Sequence, residues 1–449
     1  MPKRLRAREL LRQKPVWVPP IAVGVVLIGL MTALYIGSAV DPIDHMEGLP
    51  VSLVQGDKGS EGPAGLQLNF GRSLERGLLN SPEVSTKLAI HVESMQAAED
   101  RMNRGASYAT LVIPPDFSDA ALGLIAVPGI HPAGPGLPTI ELLTNQRAGT
   151  EGASLATGVL TPALGLASET LGRRLLKEAP REDAITEAAL ADPVKIEAGQ
   201  YRPLPAKAAL GLSAFYIALL MMMCGFIGAT IVNAALDGVL GFAPVEIGPK
   251  WMMARPALIS RSQTLIAKWA IAAVLTGVLT AIVLLVAVGI FGMDAPDPLL
   301  LWVYGWFGAA TVAVGTLALF AVLGTPGQLV GLLVFVYLGL ASAGGTVPIQ
   351  ALPDGFAAVS HLDPLRQILG GVRAILYLEA RADAGLAEGA IATAIGLIFW
   401  LCFGAFFARR YDRAHRDRLD PDLLAYVHQS ADQYRASGRP NRRANPRST

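Results

Sequence analysis

Residues 16–40 read VWVPPIAVGVVLIGLMTALYIGSAV and contain no charged side chain. The hydrocarbon core of a bilayer is about 30 Å thick, and a helix needs roughly 20 apolar residues to cross it. A cleaved signal peptide with GSA at 37–39 as its processing site is the competing interpretation, but its apolar region would be only about 7–15 residues long. Residues 16–40 therefore predict the first membrane-spanning helix.

Uncharged runs recur along the rest of the chain. They lie between residues 207 and 237, 268 and 294, 297 and 354, and 388 and 409. The run between 297 and 354 is too long for one span, and the sequence GTPG at 324–327 divides it in two. The sequence thus predicts a helical membrane protein with six transmembrane helices, one at 16–40 and five within 208–408.

The composition supports this interpretation and divides the chain into two compartments. Hydrophobic residues make up 52% of the chain and charged residues 16%, whereas a soluble domain carries about 25% charged residues. Residues 41–207 hold 21 acidic and 14 basic side chains, and the remainder holds 15 acidic and 23 basic ones. The acidic segment and the basic remainder are therefore expected on different sides of the membrane.

Lysine and arginine cluster beside three of the predicted span ends. They lie in the tail at 1–15, in the loop after the second span and in the polar tail at 409–449. The opposite loop at 293–297 has no basic residue. Because basic residues are retained on the cytoplasmic side, we expect a multi-pass protein of the plasma membrane with both termini cytoplasmic and residues 41–207 extracytoplasmic.

The segment 41–207 alternates between strand-like and helix-like patterns, which predicts a small α/β domain between the first two spans. Strands are predicted at 49–54, 87–92, 108–113 and 139–143, and helices at 65–79, 94–102 and 151–177. A short helix is predicted after Pro115, with Asp116 or Ser118 as its cap. The stretch 128–138 is rich in glycine and proline and predicts a loop.

Several kinds of chemistry have no support in the sequence. The only cysteines, Cys224 and Cys402, fall in apolar runs, so neither a disulfide nor a zinc site is expected. The chain contains no Gly-Lys dipeptide and hence no Walker A loop, and it has no GxSxG or HExxH motif. The predicted spans also contain no carboxylate that could relay protons. We therefore expect neither an enzyme nor a nucleic-acid-binding protein, no cofactor and no metal, and energy for any transport supplied by a separate cytoplasmic ATPase.

Three stretches carry a resemblance to a known family. They are LPVSLVQGDKG at 49–59, YATLVIPPDFSDAAL at 108–122 and RPLPAKAALGLSAFYIALL at 202–220. Their order after a signal-anchor helix resembles the type-2 ABC exporter permeases, most closely the YhgE/Pip group and its fungal relatives linked to nitrosoguanidine resistance. The resemblance implies a homodimer that exports a hydrophobic or amphipathic compound, such as a drug or lipid. The long outside insert of many YhgE/Pip proteins is absent, so a role as a surface receptor is not implied.

The segment 344–377 is half apolar and broken by proline. It resembles the re-entrant pair of short helices that precedes the last span of these exporters, and the resemblance implies that it lines a cavity. An amphipathic segment on the outer leaflet is the alternative. The candidate residues of the substrate path are Tyr216, Asn233, Gln328, Pro348, His361, Asp363 and Arg366. Polar side chains within spans also bond across helix interfaces, which is the alternative for Asn233 and Gln328.

The loop after the second span, from 237 to 261, is the candidate docking site for an ATPase. Its candidate docking residues are Glu246, Trp251, Met252 and Arg255. An interfacial helix held to lipid by Trp251 and the basic residues is the alternative. A protein that does not transport, but serves as a structural or assembly component of an envelope or secretion complex, is the rival function.

Overall fold

Long helices and one mixed sheet make up the part of the chain that the computed structural model describes, residues 12, 14–39, 41–61, 67–125, 137–178, 190–252, 254, 256–414 and 429. The helices are α1 Lys14–Ala39, α2 Phe70–Leu79, α3 Pro82–Lys87, α4 Met95–Asn103, α5 Phe117–Gly123, α6 Thr150–Glu178, α7 Ser213–Val239, α8 Arg261–Ile290, α9 Pro298–Leu323, α10 Pro326–Ser342, α11 Asp354–Ser360, α12 Pro364–Tyr377 and α13 Leu386–Arg413. The strands are β1 Leu49–Gln55, β2 Ser60–Glu61, β3 Gln67–Leu68, β4 Leu88–Val92, β5 Ala109–Ile113, β6 Thr139–Thr144, β7 Lys195–Gln200, β8 Val245–Ile247 and β9 Lys250–Met252.

Five helices, α1, α7, α8, α9 and α13, are long and apolar enough to cross a bilayer. The predicted break at 324–327 is present, since Gly324 adopts a φ of +67° and α10 begins at Pro326. Helix α10 is apolar but shorter than these five, because the chain leaves the helix before Gly344, at a φ of +68°. Five of the six predicted spans thus have helices of full length, and the sixth is not confirmed.

The five-stranded sheet has the order β4-β1-β5-β6-β7 and forms between α1 and α7 in the sequence. Strand β1 is parallel to both β4 and β5, β6 is antiparallel to β5, and β7 is parallel to β6. The four predicted strands correspond to β1, β4, β5 and β6, whereas β7 was not predicted. The predicted loop at 128–138 lies mostly outside the described residues.

Helix α2 begins at Phe70, later than the prediction of residue 65. The side chain of Asn69 caps it by accepting a hydrogen bond from the Arg72 amide at 2.7 Å. The two residues before the cap instead form β3, which pairs with β2. The cap therefore fixes a boundary that hydrophobic periodicity alone does not locate.

The buried carboxylate of Asp57 joins three parts of the α/β region. It accepts hydrogen bonds from the amides of Gly59, Gly71 and Ser118, and from the Ser118 hydroxyl at 2.6 Å. Its negative charge thus lies beside the first turns of α2 and α5, where helix dipoles favour an anion. Asp116 occupies the N-cap position of α5, one of the two predicted, but its side chain makes no cap bond, and Ser118 instead binds Asp57.

Arginine side chains hold the α/β region against the segment between α12 and α13. Arg381 pairs with Asp100 at 3.1 Å, and Arg202 pairs with Glu379 at 2.6 Å. The Arg147 guanidinium also donates to the main-chain oxygen of Tyr377 at 3.0 Å. The α/β region is therefore attached to the end of α12.

Replacement of Asp57 by asparagine is expected to destabilise the α/β region, because an amide NH2 would face amide donors that now bind a carboxylate. Hydrogen bonds to a charged group contribute about 1.5–3 kcal/mol each, so the D57N protein in detergent should melt at least about 4 °C lower than wild type. The exposed Asp116, whose side chain makes no cap bond, provides the control variant D116N. Equal melting temperatures for D57N and wild type would contradict this role.

Candidate functional site

A helical hairpin formed by α11 and α12 lies between α10 and α13 in the sequence. The buried Asp363 stands at its turn, where one carboxylate oxygen accepts the Leu365 amide at 2.8 Å and caps α12. The other oxygen accepts the Ser342 hydroxyl at 3.3 Å, which ties the turn to the end of α10. Helix α12 packs against α7, α9 and α13. Asp363 thus provides an acceptor for a buried first-turn amide that has no partner within the helix.

Three of the predicted path residues lie together at this turn. The Arg366 guanidinium donates to the Ser360 hydroxyl at 2.7 Å and lies 3.3 Å from Nδ1 of His361. Asp363 is close enough to Arg366 to interact with it electrostatically. Since His361 is exposed and Arg366 half-buried, the turn offers both a cation and an imidazole to a molecule outside the helices.

The other predicted path residues are not brought together. Tyr216 is exposed near the start of α7, and Pro348 is buried ahead of the hairpin. Gln328 is exposed near the start of α10, at the opposite end of the bundle from Tyr216. These residues do not form a continuous polar path with His361.

At the end of the bundle that holds Gln328, Asn233 belongs to a buried polar cluster. The Lys268 ammonium group donates to the Asp237 carboxylate at 2.6 Å and to the Asn233 side-chain oxygen at 2.7 Å. The side chains of Lys268 and Asp237 are only 6% and 11% exposed. Both residues were predicted to bracket uncharged spans, but they lie inside α8 and α7. Both helices therefore continue past the charges that were predicted to end the uncharged runs, and α7 carries a carboxylate in its last turn.

The predicted docking loop folds into a β-hairpin in place of an interfacial helix. Strands β8 and β9 pair antiparallel, with Glu246 opposite Trp251 and Val245 opposite Met252. Met252 and Glu246 are exposed. The side chain of Trp251 and the whole of Arg255 lie outside the described part of the chain, so their predicted roles stay predictions.

The β-hairpin is tied directly to the ion pair. The main-chain oxygen of Asp237 accepts the amides of Phe242 at 2.8 Å and Ala243 at 3.1 Å, just before β8. Gly238 allows this close approach, because a Cβ there would lie 2.4 Å from the Val245 side chain. Asp237 thus binds α8 with its carboxylate and the loop with its carbonyl.

A cavity of about 310 Å³ lies next to the same cluster. Asn233, Lys268, Arg261 and Tyr411 line it together with the last residues of α9. The Arg261 guanidinium lies 5.3 Å from the centre of the Tyr411 ring. The carboxylate of Asp412, on α13, accepts the amides of Arg261 at 2.8 Å and Ser262 at 3.0 Å, in the first turn of α8. The cavity is therefore bordered by helix ends, and polar side chains line part of it.

No group of three or more metal-ligating side chains occurs among the residues that the structure describes. Sequence reasoning missed the Lys268–Asp237 pair because it treated each charge as a span boundary. A signal was nevertheless available, since Asn233 and Asp237 are four residues apart and therefore share one helix face.

Comparison with known proteins identifies the family. The sequence profile of the ABC-2 family transporter proteins matches residues 21–408. The chain belongs to the ABC-2 transporter family. The ABC-2 protein described here is accordingly a multi-pass membrane protein and the membrane component of a transporter, and permeases of this family generally work with a cytoplasmic ATPase.

A crystal structure of a domain assigned to an ABC type-2 transporter from Thermotoga maritima MSB8 is similar to part of the ABC-2 protein. The two are 17% identical, and the match covers 36% of this chain and 97% of that domain with a TM-score of 0.24. A TM-score this low supports no conclusion about the fold. No curated protein matches the ABC-2 protein.

Replacement of Lys268 by methionine is expected to destabilise the ABC-2 protein strongly, because it leaves the Asp237 carboxylate in apolar surroundings without its cation. Breaking a buried pair costs about 3–5 kcal/mol, whereas replacing both partners by apolar residues is often neutral. K268M and D237L should thus each lower the melting temperature in detergent, and the double variant should recover most of the loss. The exposed Gln328 supplies the control Q328M, and a double variant less stable than either single one would contradict the pairing.

Proposed function

We propose that this chain is an exporter permease of the type-2 ABC class, related to the YhgE/Pip group, that moves a hydrophobic or amphipathic compound across the plasma membrane. A separate cytoplasmic ATPase supplies the energy. The observation that carries the proposal is the α11–α12 hairpin, inserted before the last helix of a chain that belongs to the ABC-2 family. Chain breaks at membrane depth are tolerated where protein or a cavity satisfies the backbone.

In the proposed topology both termini are cytoplasmic, residues 41–207 lie outside, and α10 with the hairpin completes the sixth crossing. The distribution of basic residues supports this orientation. The hairpin then forms the outer gate, and the exposed His361 and half-buried Arg366 at its turn contact the polar end of an amphipathic substrate. The α/β domain covers the gate.

A homodimer is part of the proposal. Little of α1 and α13 is buried within one chain, although both helices are strongly apolar. Their exposed side chains include Val25, Val26, Ile395 and Phe406. Lipid covers a part of such surfaces, and a second copy covers the rest, so that a substrate cavity forms between the two chains.

The β8–β9 hairpin is the proposed docking site for the ATPase. It presents exposed Ile247 and Met252 beside the carboxylate of Glu246. Its attachment to the carbonyl of Asp237 means that a force on the hairpin acts directly on α7. This is the mechanical property that a coupling element requires.

Cross-linking tests the docking site. A cysteine at Met252, in a protein carrying C224S and C402S, is expected to capture an ATPase chain identifiable by mass spectrometry. A cysteine at Asp294, which lies exposed in the loop between α8 and α9, is the control for the opposite end of the bundle. Capture of only lipid, or equal capture from both positions, would overturn the docking site, whereas capture of a secretion complex would favour an assembly component.

Transport itself is tested with vesicles containing the permease and its ATPase. R366Q is expected to slow ATP-dependent movement of an amphipathic dye by roughly tenfold, because losing a hydrogen bond to a charged group costs about 1.5–3 kcal/mol. ATPase capture through M252C should be unchanged. The exposed Arg174 of α6 gives the control R174Q, and transport by R366Q at the wild-type rate would remove this residue from the path.

A further inference from the structure

The guanidinium of Arg373 differs from the other arginines where the α/β region meets the bundle. Arg381 and Arg202 each pair with a carboxylate, and Arg147 donates to main-chain oxygens. Arg373 makes no hydrogen bond or ion pair with the residues that the structure describes. Its electrostatic neighbours are the side chains of Tyr108 and Tyr377, and no carboxylate is among them.

The position of Arg373 makes this lack of an anion costly. It lies on α12 and is only partly accessible, with the α/β region on one side and the bundle on the other. Removing a charge from water is costly unless the charge is paired and hydrogen-bonded, and Arg373 is largely removed from water. An arginine kept here without an internal partner therefore provides a guanidinium that an external anion can satisfy.

The groups facing Arg373 suit an anion. A Cβ added at Gly149 would lie 3.9 Å from an Arg373 terminal nitrogen and 3.5 Å from the Tyr108 ring, so these three residues adjoin one another. Gly149 immediately precedes α6, whose first backbone bond runs from the Ala153 amide to the Gly149 oxygen. The amides of residues 150–152 have no acceptor among the described residues, and a helix start favours negative charge.

A second cation lies on the same helix. Arg366 is seven residues from Arg373, two turns of α12, and the Tyr108 side chain lies near both guanidinium groups. The hydrogen-bond partners of Arg366 are the neutral Ser360 hydroxyl and the ring of His361, and neither is a carboxylate. The face of α12 toward Tyr108 thus carries two positive charges over two turns. Asp363 is the carboxylate at the N-terminal end of this helix.

We infer that Arg373, with the first turn of α6 and the ring of Tyr108, forms a binding site for the anionic head group, a phosphate or carboxylate, of an amphipathic molecule. Guanidinium groups bind both anions in a bidentate manner. Leu210, whose carbonyl accepts the Thr150 hydroxyl at the start of α6, is exposed and offers apolar surface to the rest of the molecule. The inference deepens the proposed function by assigning an anionic head group to the substrate or to a lipid bound in its place.

Binding is tested with the full chain in lipid nanodiscs, which requires neither ATPase nor transport. In one arm the discs contain phosphatidylcholine with or without phosphatidylglycerol. In the other arm glycerol 3-phosphate is added to discs of phosphatidylcholine alone. Bound lipid is counted by native mass spectrometry, and the melting temperature is recorded in both arms.

Wild type is expected to bind the anionic lipid or the free phosphate at least tenfold more tightly than R373Q, a difference of about 1.4 kcal/mol. R373K, which keeps the charge but lacks the planar fork, should bind with intermediate affinity. The control R174Q should bind as wild type does. Binding confined to the lipid arm assigns the site to a membrane amphiphile, and binding in the free-phosphate arm alone would overturn that assignment.

Equal affinities of wild type, R373K and R373Q in both arms would overturn the site. The same holds if R174Q weakens binding as much as R373Q does. If R373Q fails to fold, the comparison of wild type with R373K decides, since unchanged affinity in R373K excludes a requirement for the guanidinium. Because no step depends on transport, loss of the site and failure of the proposed export are separate results.

Discussion

Charge inside an apolar bundle must be neutralised by a partner, and the contact between Lys268 and Asp237 meets that constraint for α7 and α8. The two charged groups are 2.6 Å apart and nearly without solvent exposure, so each neutralises the other directly. Asn233 accepts a further bond from the ammonium group, which reduces the number of unsatisfied donors. A buried pair of this kind contributes to stability mainly because either charge alone is so unfavourable. It therefore fixes the register of α7 against α8.

The opposite end of the bundle is organised by contacts with the α/β region. Ala351, just before α11, belongs to the same buried cluster as the strands, and Val347 packs against that cluster. Farther along, Arg381 and Arg147 attach the α/β region to the end of α12. The α11–α12 hairpin is thus held at both of its ends by one region. A movement of the α/β region relative to the bundle would necessarily displace the hairpin.

Hydrophobic runs and proline or glycine breaks were sufficient to predict five long helices and four of the five strands of the main sheet. Strand β7 was not predicted because its sequence, KIEAGQ, is largely exposed at the sheet edge and shows no alternation of buried and exposed residues. The hairpin β8–β9 escaped because its strands are only three residues long. Local patterns report burial along one segment, so elements that depend on a partner strand or lie at an edge are not visible in them.

The contacts of the candidate site were harder to predict for a related physical reason. Asp57 binds residues 14 and 61 positions away, and Lys268 binds a residue 31 positions away. Counting charges along a predicted span shows where burying a charge would be unfavourable. It does not show which distant residue of opposite charge pairs with it and offsets that cost. Of the predicted path residues, His361, Asp363 and Arg366 do lie together, because they are near neighbours in the sequence at the turn of the α11–α12 hairpin.

Close helix packing connects the two ends of the bundle. Gly225 lies against the main chain of Ala309, and Gly308 lies against Ile368 of α12, with no room for a side chain at either glycine. Helices α7, α9 and α12 therefore share backbone-level contacts and cannot shift individually by much without steric overlap. On the proposed function, a force applied at the β8–β9 hairpin reaches α7 through Asp237. The force would then move the three helices together and so reach α12. The β8–β9 hairpin is thereby coupled to the α11–α12 gate without a polar path between them.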